Sequence, residues 1–153
     1  MPTSSCVVSA ERIIHASPGR IFDVLADPTQ HPVIDGSRSV RAPRAGAPAR
    51  LALGARFSMD MRIGLPYRMT SEVVQFEEGR RIAWQHLAHD VWCYELEPVD
   101  GATRVRESFD WSHGRGQWFL RITKTPEKNR RSMEHTLERL AGLVEGGADR
   151  GPA

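Results

Sequence analysis

Apolar residues along this chain change rhythm several times, and each rhythm predicts a different element. "CVVSAERIIHA" is rich in β-branched residues and predicts a first strand. A helical period follows: Ser17 is placed to cap a helix, Pro18 to open it, and Ile21, Phe22 and Leu25 share one face. "DPTQHP" ends that helix, because Asp27-Pro28 and His31-Pro32 disfavour its continuation, with room for one more short helical turn between the prolines. From Gly36 to Gly54, "GSRSVRAPRAGAPARLALG" predicts no regular element, only a slack connection or a flap over a site. Five strand candidates then run from about Arg56 to Ser112, separated by "GLP", "EEGR", "AHD" and "VDG". A long helical segment covers about Gln117 to Glu145, interrupted at Pro126, with Thr125 placed to cap its second piece. There Met133, Leu137, Leu140 and Val144 recur at spacings of three and four, which makes an amphipathic face.

Parity fixes the faces of the five strands, and turn length fixes their pairing. A two-residue turn at Asp100-Gly101 sets Leu96 opposite Val105, Tyr94 opposite Glu107 and Trp92 opposite Phe109. A loop over 88–90 sets Trp92 against His86 and Tyr94 against Trp84. A two-residue turn at Glu78-Gly79 sets Val73 against Trp84 and Ser71 against His86. A loop over 64–66 sets Met61 against Met69 and Met59 against Ser71. One face then carries Phe57, Met59, Met61, Ile63, Tyr67, Met69, Ser71, Val73 and Gln75. It continues through Ile82, Trp84, His86, Trp92, Tyr94, Leu96, Thr103, Val105, Glu107, Phe109 and Trp111. The other face carries Asp60, Arg62, Arg68, Glu72, Arg81, Glu95, Glu97, Arg104, Arg106 and Asp110. This is an antiparallel sheet with one wet and one covered face, and the C-terminal helix is the large amphipathic partner left to cover it. The architecture is α+β. A single helix covers the middle of a wide, twisted sheet and leaves space under its ends, so the rings are read as lining a cavity.

Composition narrows the function classes. The 153 residues suit one domain, expected over residues 1–146 with a frayed tail at 147–153. A net charge of +2, with scattered arginines, gives no field that would gather nucleic acid or a membrane, and no nucleic-acid partner is expected. No apolar run is long enough for an integral membrane segment, and the start lacks the pattern of a signal peptide. Cys6 and Cys93 have no paired spacing and suit a reducing, cytoplasmic setting. His15, His31, His89, His113 and His135 lack metal-ligand spacing, so no metal is expected. The glycines of 36–54 lack a strand–loop–helix context and a P-loop lysine, so no cofactor is expected.

The order of elements, with "IIHASPGRIFDVLADP", "GRRIAWQH", "YELEPVDGATRVRESFDW" and "HTLERLAGLVE" in sequence, resembles the START-like, helix-grip superfamily. It is most similar to the bacterial polyketide cyclase/dehydrase branch, over nearly the whole chain. The resemblance implies a helix-grip fold: a curved antiparallel sheet around a long C-terminal helix, with two short helices after the first strand. It implies a hydrophobic or amphipathic small-molecule ligand between sheet and helix, polyketide-, lipid- or isoprenoid-like. Some members fold and dehydrate polyketide chains; no universal catalytic motif carries over.

Glu107 stands out among the candidate residues as the only carboxylate on the covered face. A buried carboxyl must be paired, hydrogen-bonded or protonated, and a raised pKa suits an acid or base near neutrality. His86 is a candidate to move a proton and Tyr94 to orient a carbonyl, against the plainer readings of a water-satisfied Glu107 and a hydrogen-bonded core histidine. Trp84 and Trp92 suit a flat, oxygenated ligand or simply fill the interior. Phe57, Met59, Met61, Met69 and Ser71 join them as expected ligand contacts. Val73, Phe109, Met133 and Leu137 extend that surface, and Trp118, with Phe119, opens the last helical segment as a rim or as a docking anchor. Three functions compete: a ligand-binding protein with cyclase- or dehydratase-like chemistry, a carrier without chemistry, and a START-like protein-interaction module. A monomer or homodimer is expected.

Overall fold

In the computed structural model, residues 6–86, 89–112 and 125–148 are described. Seven antiparallel strands form one sheet in the order β1-β7-β6-β5-β4-β3-β2. They are β1 (Val7–Ile14), β2 (Val40–Pro43), β3 (Arg56–Ile63), β4 (Leu65–Glu77), β5 (Arg81–His86), β6 (Val91–Val99) and β7 (Ala102–Asp110). After β1 come α1 (Pro18–Leu25), a 3-10 turn (Pro28–Gln30) and α2 (His31–Ile34). The C-terminal helix, α3, spans Thr125–Ala148. The expected helical stretch before Thr125, including Trp118 and Phe119, lies outside the described residues.

The local signals act as chemistry requires. Ser17 Oγ accepts the Arg20 N–H at 3.3 Å, and Pro18 opens α1. Asp27 caps the 3-10 turn through the Thr29 N–H at 2.9 Å. Ile21, Phe22 and Leu25 are all fully buried. They pack with Ile14, Val105, Leu137, Leu140 and Val144 into the main core.

Segment 36–54, expected to hold no regular element, contains a short strand. Val40–Pro43 adds an edge strand to β3, and Leu51 is buried with its N–H donating to Ala26 O at 2.7 Å. Four residues ending in proline carry too little pattern to be recognised, and proline is tolerated because the strand is at an edge. Three of the four expected turns also differ. Gly64 alone reverses β3 into β4, at φ 72°, so Met61 faces Tyr67 and Met59 faces Met69. β5 and β6 pair two residues away from the expected register, which sets Trp84 opposite Trp92 and Ile82 opposite Tyr94. The β4–β5 turn has three residues rather than two, and a bulge between Val73 and Gln75 absorbs the extra one. Val73–Trp84 and Ser71–His86 therefore pair as expected, but Gln75 turns out to solvent and Phe76 turns in against Phe22. The β6–β7 register agrees throughout.

α3 lies against β1 and β7, not over the middle of the sheet. Its second anchor is α2. Gly36 N–H donates to Thr136 Oγ1 at 2.9 Å, and Arg139 Nε donates to Val33 O at 2.9 Å. The concave side of β3–β6 thus faces the short helices and side chains rather than the α3 backbone. The outer face is held by exposed cross-strand pairs such as Arg81–Glu95 and Arg104–Glu97, each worth about 0–1 kcal/mol.

Candidate functional site on the concave face

Corrected pairing arranges the inward residues in rows across the sheet. One row runs Glu107–Tyr94–Ile82–Phe76, the next Phe109–Trp92–Trp84–Val73, and a third His86–Ser71–Phe57. Two polar pairs therefore flank a row of rings.

In the first pair, Tyr94 Oη donates to Glu107 Oε1 at 2.8 Å. Glu107 is only 3 % exposed, and its Oε2 has no hydrogen-bond partner among the described residues. Burial raises the Glu107 pKa to about 8, outweighing the hydrogen bond from Tyr94, which lowers it. The carboxyl is thus predominantly protonated at neutral pH. Burial, and then the neighbouring Glu107, push the Tyr94 phenol well above its usual range. The Asp35 carboxylate adds to both shifts from the start of the 36–54 segment, where its oxygens accept from Ser37 and the Val40 N–H.

In the second pair, Ser71 Oγ and His86 Nδ1 are 2.7 Å apart. Desolvation lowers the His86 pKa to about 4, so this imidazole is neutral at pH 7. In the expected register His86 stood one row from Glu107. The observed register adds a second row, about 13 Å along a strand for four residues. Glu107 and Tyr94 are brought together; His86 is not.

Between the pairs, Trp84 tilts against Tyr94 with centroids 5.6 Å apart, and meets Phe57 edge-on at 5.9 Å. Trp92 lies 4.7 Å from Phe109, which stacks on Trp111 with Met133 beside them. Phe57, Met59, Val73, Phe109, Met133 and Leu137 are buried, while Met61, Met69, Trp84, Trp92 and His86 are half-buried. Pattern reading missed His31. Buried in α2, it stacks on Trp84 at 5.0 Å and its Nε2 bonds Leu25 O at 2.8 Å. Nε2 must carry the proton there, since a carbonyl only accepts. Burial lowers its pKa. Its only sequence signal is the His31-Pro32 step, which says nothing of a ring stack. A separate shallow cleft of about 210 Å³ lies between the 44–47 turn and β3–β4, lined in part by Arg44, Arg56 and Arg68. No group of three or more His, Cys, Asp or Glu residues is disposed to hold a metal among the described residues.

A curved antiparallel sheet gripping a C-terminal helix, with two short helices after its first strand, defines the helix-grip class. Within that class the chain belongs to the polyketide cyclase / dehydrase and lipid transport family, whose model matches residues 5–145. It is 32 % identical over 148 residues to the uncharacterized protein Rv0088 of Mycobacterium tuberculosis, a match that covers 84 % of this chain and 66 % of that protein. It therefore spans about two thirds of the length of its curated mycobacterial relatives. Its fold is similar to protein NE0264 from Nitrosomonas europaea, with TM-score 0.73, 12 % identity and coverage of 94 % of this chain and 96 % of that one. Protein Ms6760 from Mycobacterium smegmatis has TM-score 0.71 at 16 % identity, covering 94 % of this chain and 93 % of that one. The Aha1 dimer from Colwellia psychrerythraea has TM-score 0.63 at 16 % identity, covering 91 % of this chain and 96 % of that one.

Proposed function

We propose that this protein binds a hydrophobic or amphipathic small molecule on the concave face of the sheet, with an oxygen of the ligand at Glu107. The observation that carries this reading is the buried Glu107 carboxyl, hydrogen-bonded to Tyr94 and with one oxygen unpartnered among the described residues. A protonated carboxyl on an otherwise ring-lined surface is a hydrogen-bond donor waiting for an acceptor. Trp84, Trp92, Phe57 and the methionines supply the apolar contact. In cyclase- or dehydratase-like chemistry, Glu107 would pass its proton to a carbonyl or hydroxyl oxygen while the rings hold the chain folded.

The carrier reading draws on the row of rings that lies between Glu107 and His86. That distance keeps His86 from serving as the base to the Glu107 acid. Native mass spectrometry of the as-purified protein tests binding and separates the two. The reading expects a species heavier than the polypeptide by one small apolar molecule, lost on organic extraction. Release of that molecule unchanged after incubation favours the carrier; release as a cyclised or dehydrated product favours the enzyme. A protein that stays at its bare mass, and fails to enhance the emission of a polyene fatty-acid probe, overturns both.

A further inference from the structure

The apolar side of the sheet continues past the core. At the β3–β4 turn Ile63 is 71 % exposed and Leu65 79 % exposed, with Tyr67 exposed on the same face. The pairs Ile63–Leu65, Met61–Tyr67, Met59–Met69 and Phe57–Ser71 form an unbroken ramp from the buried interior to this projecting tip. The opposite face of the hairpin carries Arg62 and Arg68. Arg38 sits beside them, since the Arg62 N–H donates to Ser39 O at 2.8 Å. None of these three arginines forms an ion pair among the described residues, while the hairpin's acids are held by other arginines, Asp60 by Arg44 at 2.7 Å, Glu72 by Arg56 at 3.5 Å and Glu77 by Arg80 at 3.3 Å. The net charge of +2 hides this concentration because the rest of the surface is balanced.

Shape and charge together select the partner. Two aliphatic side chains and a tyrosine edge fall short of the roughly 800 Å² per side of a stable protein interface. They do match the boundary between headgroups and acyl chains, where aliphatic groups enter and guanidinium groups meet phosphate. We propose that the β3–β4 tip is a membrane-docking element. Ile63 and Leu65 enter an anionic bilayer while Arg38, Arg62 and Arg68 bind its phosphates. That the ramp then leads a ligand inward rests on the binding reading above; the docking itself does not.

The test is co-sedimentation of the full chain with phosphatidylcholine vesicles, with and without phosphatidylglycerol. Binding is expected to the anionic vesicles and to weaken in high salt. The I63D/L65D double variant should lose at least about tenfold in affinity, because a charge at that depth opposes insertion. R62E/R68E should lose as much on anionic vesicles. Both sites are exposed, so circular dichroism and the urea midpoint should stay unchanged. Wild-type protein that stays in the supernatant, or an I63D/L65D variant that binds as wild type, overturns the proposal. So does a double variant that changes self-association in sedimentation velocity and leaves vesicle binding intact. The vesicles carry no extracted ligand, so this outcome is independent of the mass-spectrometric one.

Discussion

Burial acts in opposite directions on Glu107 and His86, which lie two rows apart on the concave face. The Glu107 pKa rises from 4.5 to about 8 on folding, so the folded state holds a proton that the unfolded chain releases. The stability this confers is complete below pH 4.5 and is lost as pH rises through about 8. The His86 pKa falls from 6.5 to about 4, so its contribution is complete above pH 6.5 and is lost as pH falls through about 4. Burial of His31 acts in the same direction as that of His86. Between pH 6.5 and 8 the decline belongs to Glu107, and Glu107→Gln should flatten it in urea titrations across that window. The limb is expected to be on the order of a few kcal/mol. Tyr94→Phe removes the hydrogen bond that holds the Glu107 pKa down. That variant should move the decline to higher pH and cost about 1–2 kcal/mol at pH 6, read from the urea midpoint.

At the scale of elements, the docking of α2 on α3 admits no added atom. A Cβ on Gly36 would lie 2.5 Å from His135 Cβ and 2.5 Å from Ser132 O, both fixed by α3. Gly36→Ala should therefore cost about 2–3 kcal/mol in the urea midpoint, while Gly19→Ala, which meets nothing within 4 Å, should cost little. This scale also explains what could be read in advance. Faces were legible because charges alternate with apolar residues and a misjudged turn moved β3–β4 and β5–β6 by two residues each, preserving parity. Rows were not legible, since row position depends on whether Gly64 reverses the chain alone. The bulge beyond Val73 was hidden because it compensates a turn one residue longer than Glu78-Gly79 implies. The Tyr94–Glu107 pair was legible because Asp100-Gly101 fixes that hairpin from a neighbouring turn. The His31–Trp84 stack joins elements far apart in sequence, and no local pattern encodes it.

Across the molecule, α3 covers the β1–β7 side, and the inward residues of β3–β6 are left to the short helices and to one another. A ligand seated there binds only the folded state. An extracted ligand returned at a hundredfold excess over its dissociation constant should stabilise the protein by about 2.7 kcal/mol, measured as a rise in Tm relative to the stripped protein. The partnership of β1 with β7 has another effect, on synthesis. Val7 is made well before its neighbour across the ladder, Asp110, and among the described strands β7 is the sole one beside β1. The nascent chain must keep an unzipped, sticky ribbon from wrong partners until β7 has emerged. Such long-range closure makes refolding slow and invites chaperone attendance, so β1, made before its partner, settles only once β7 is in place.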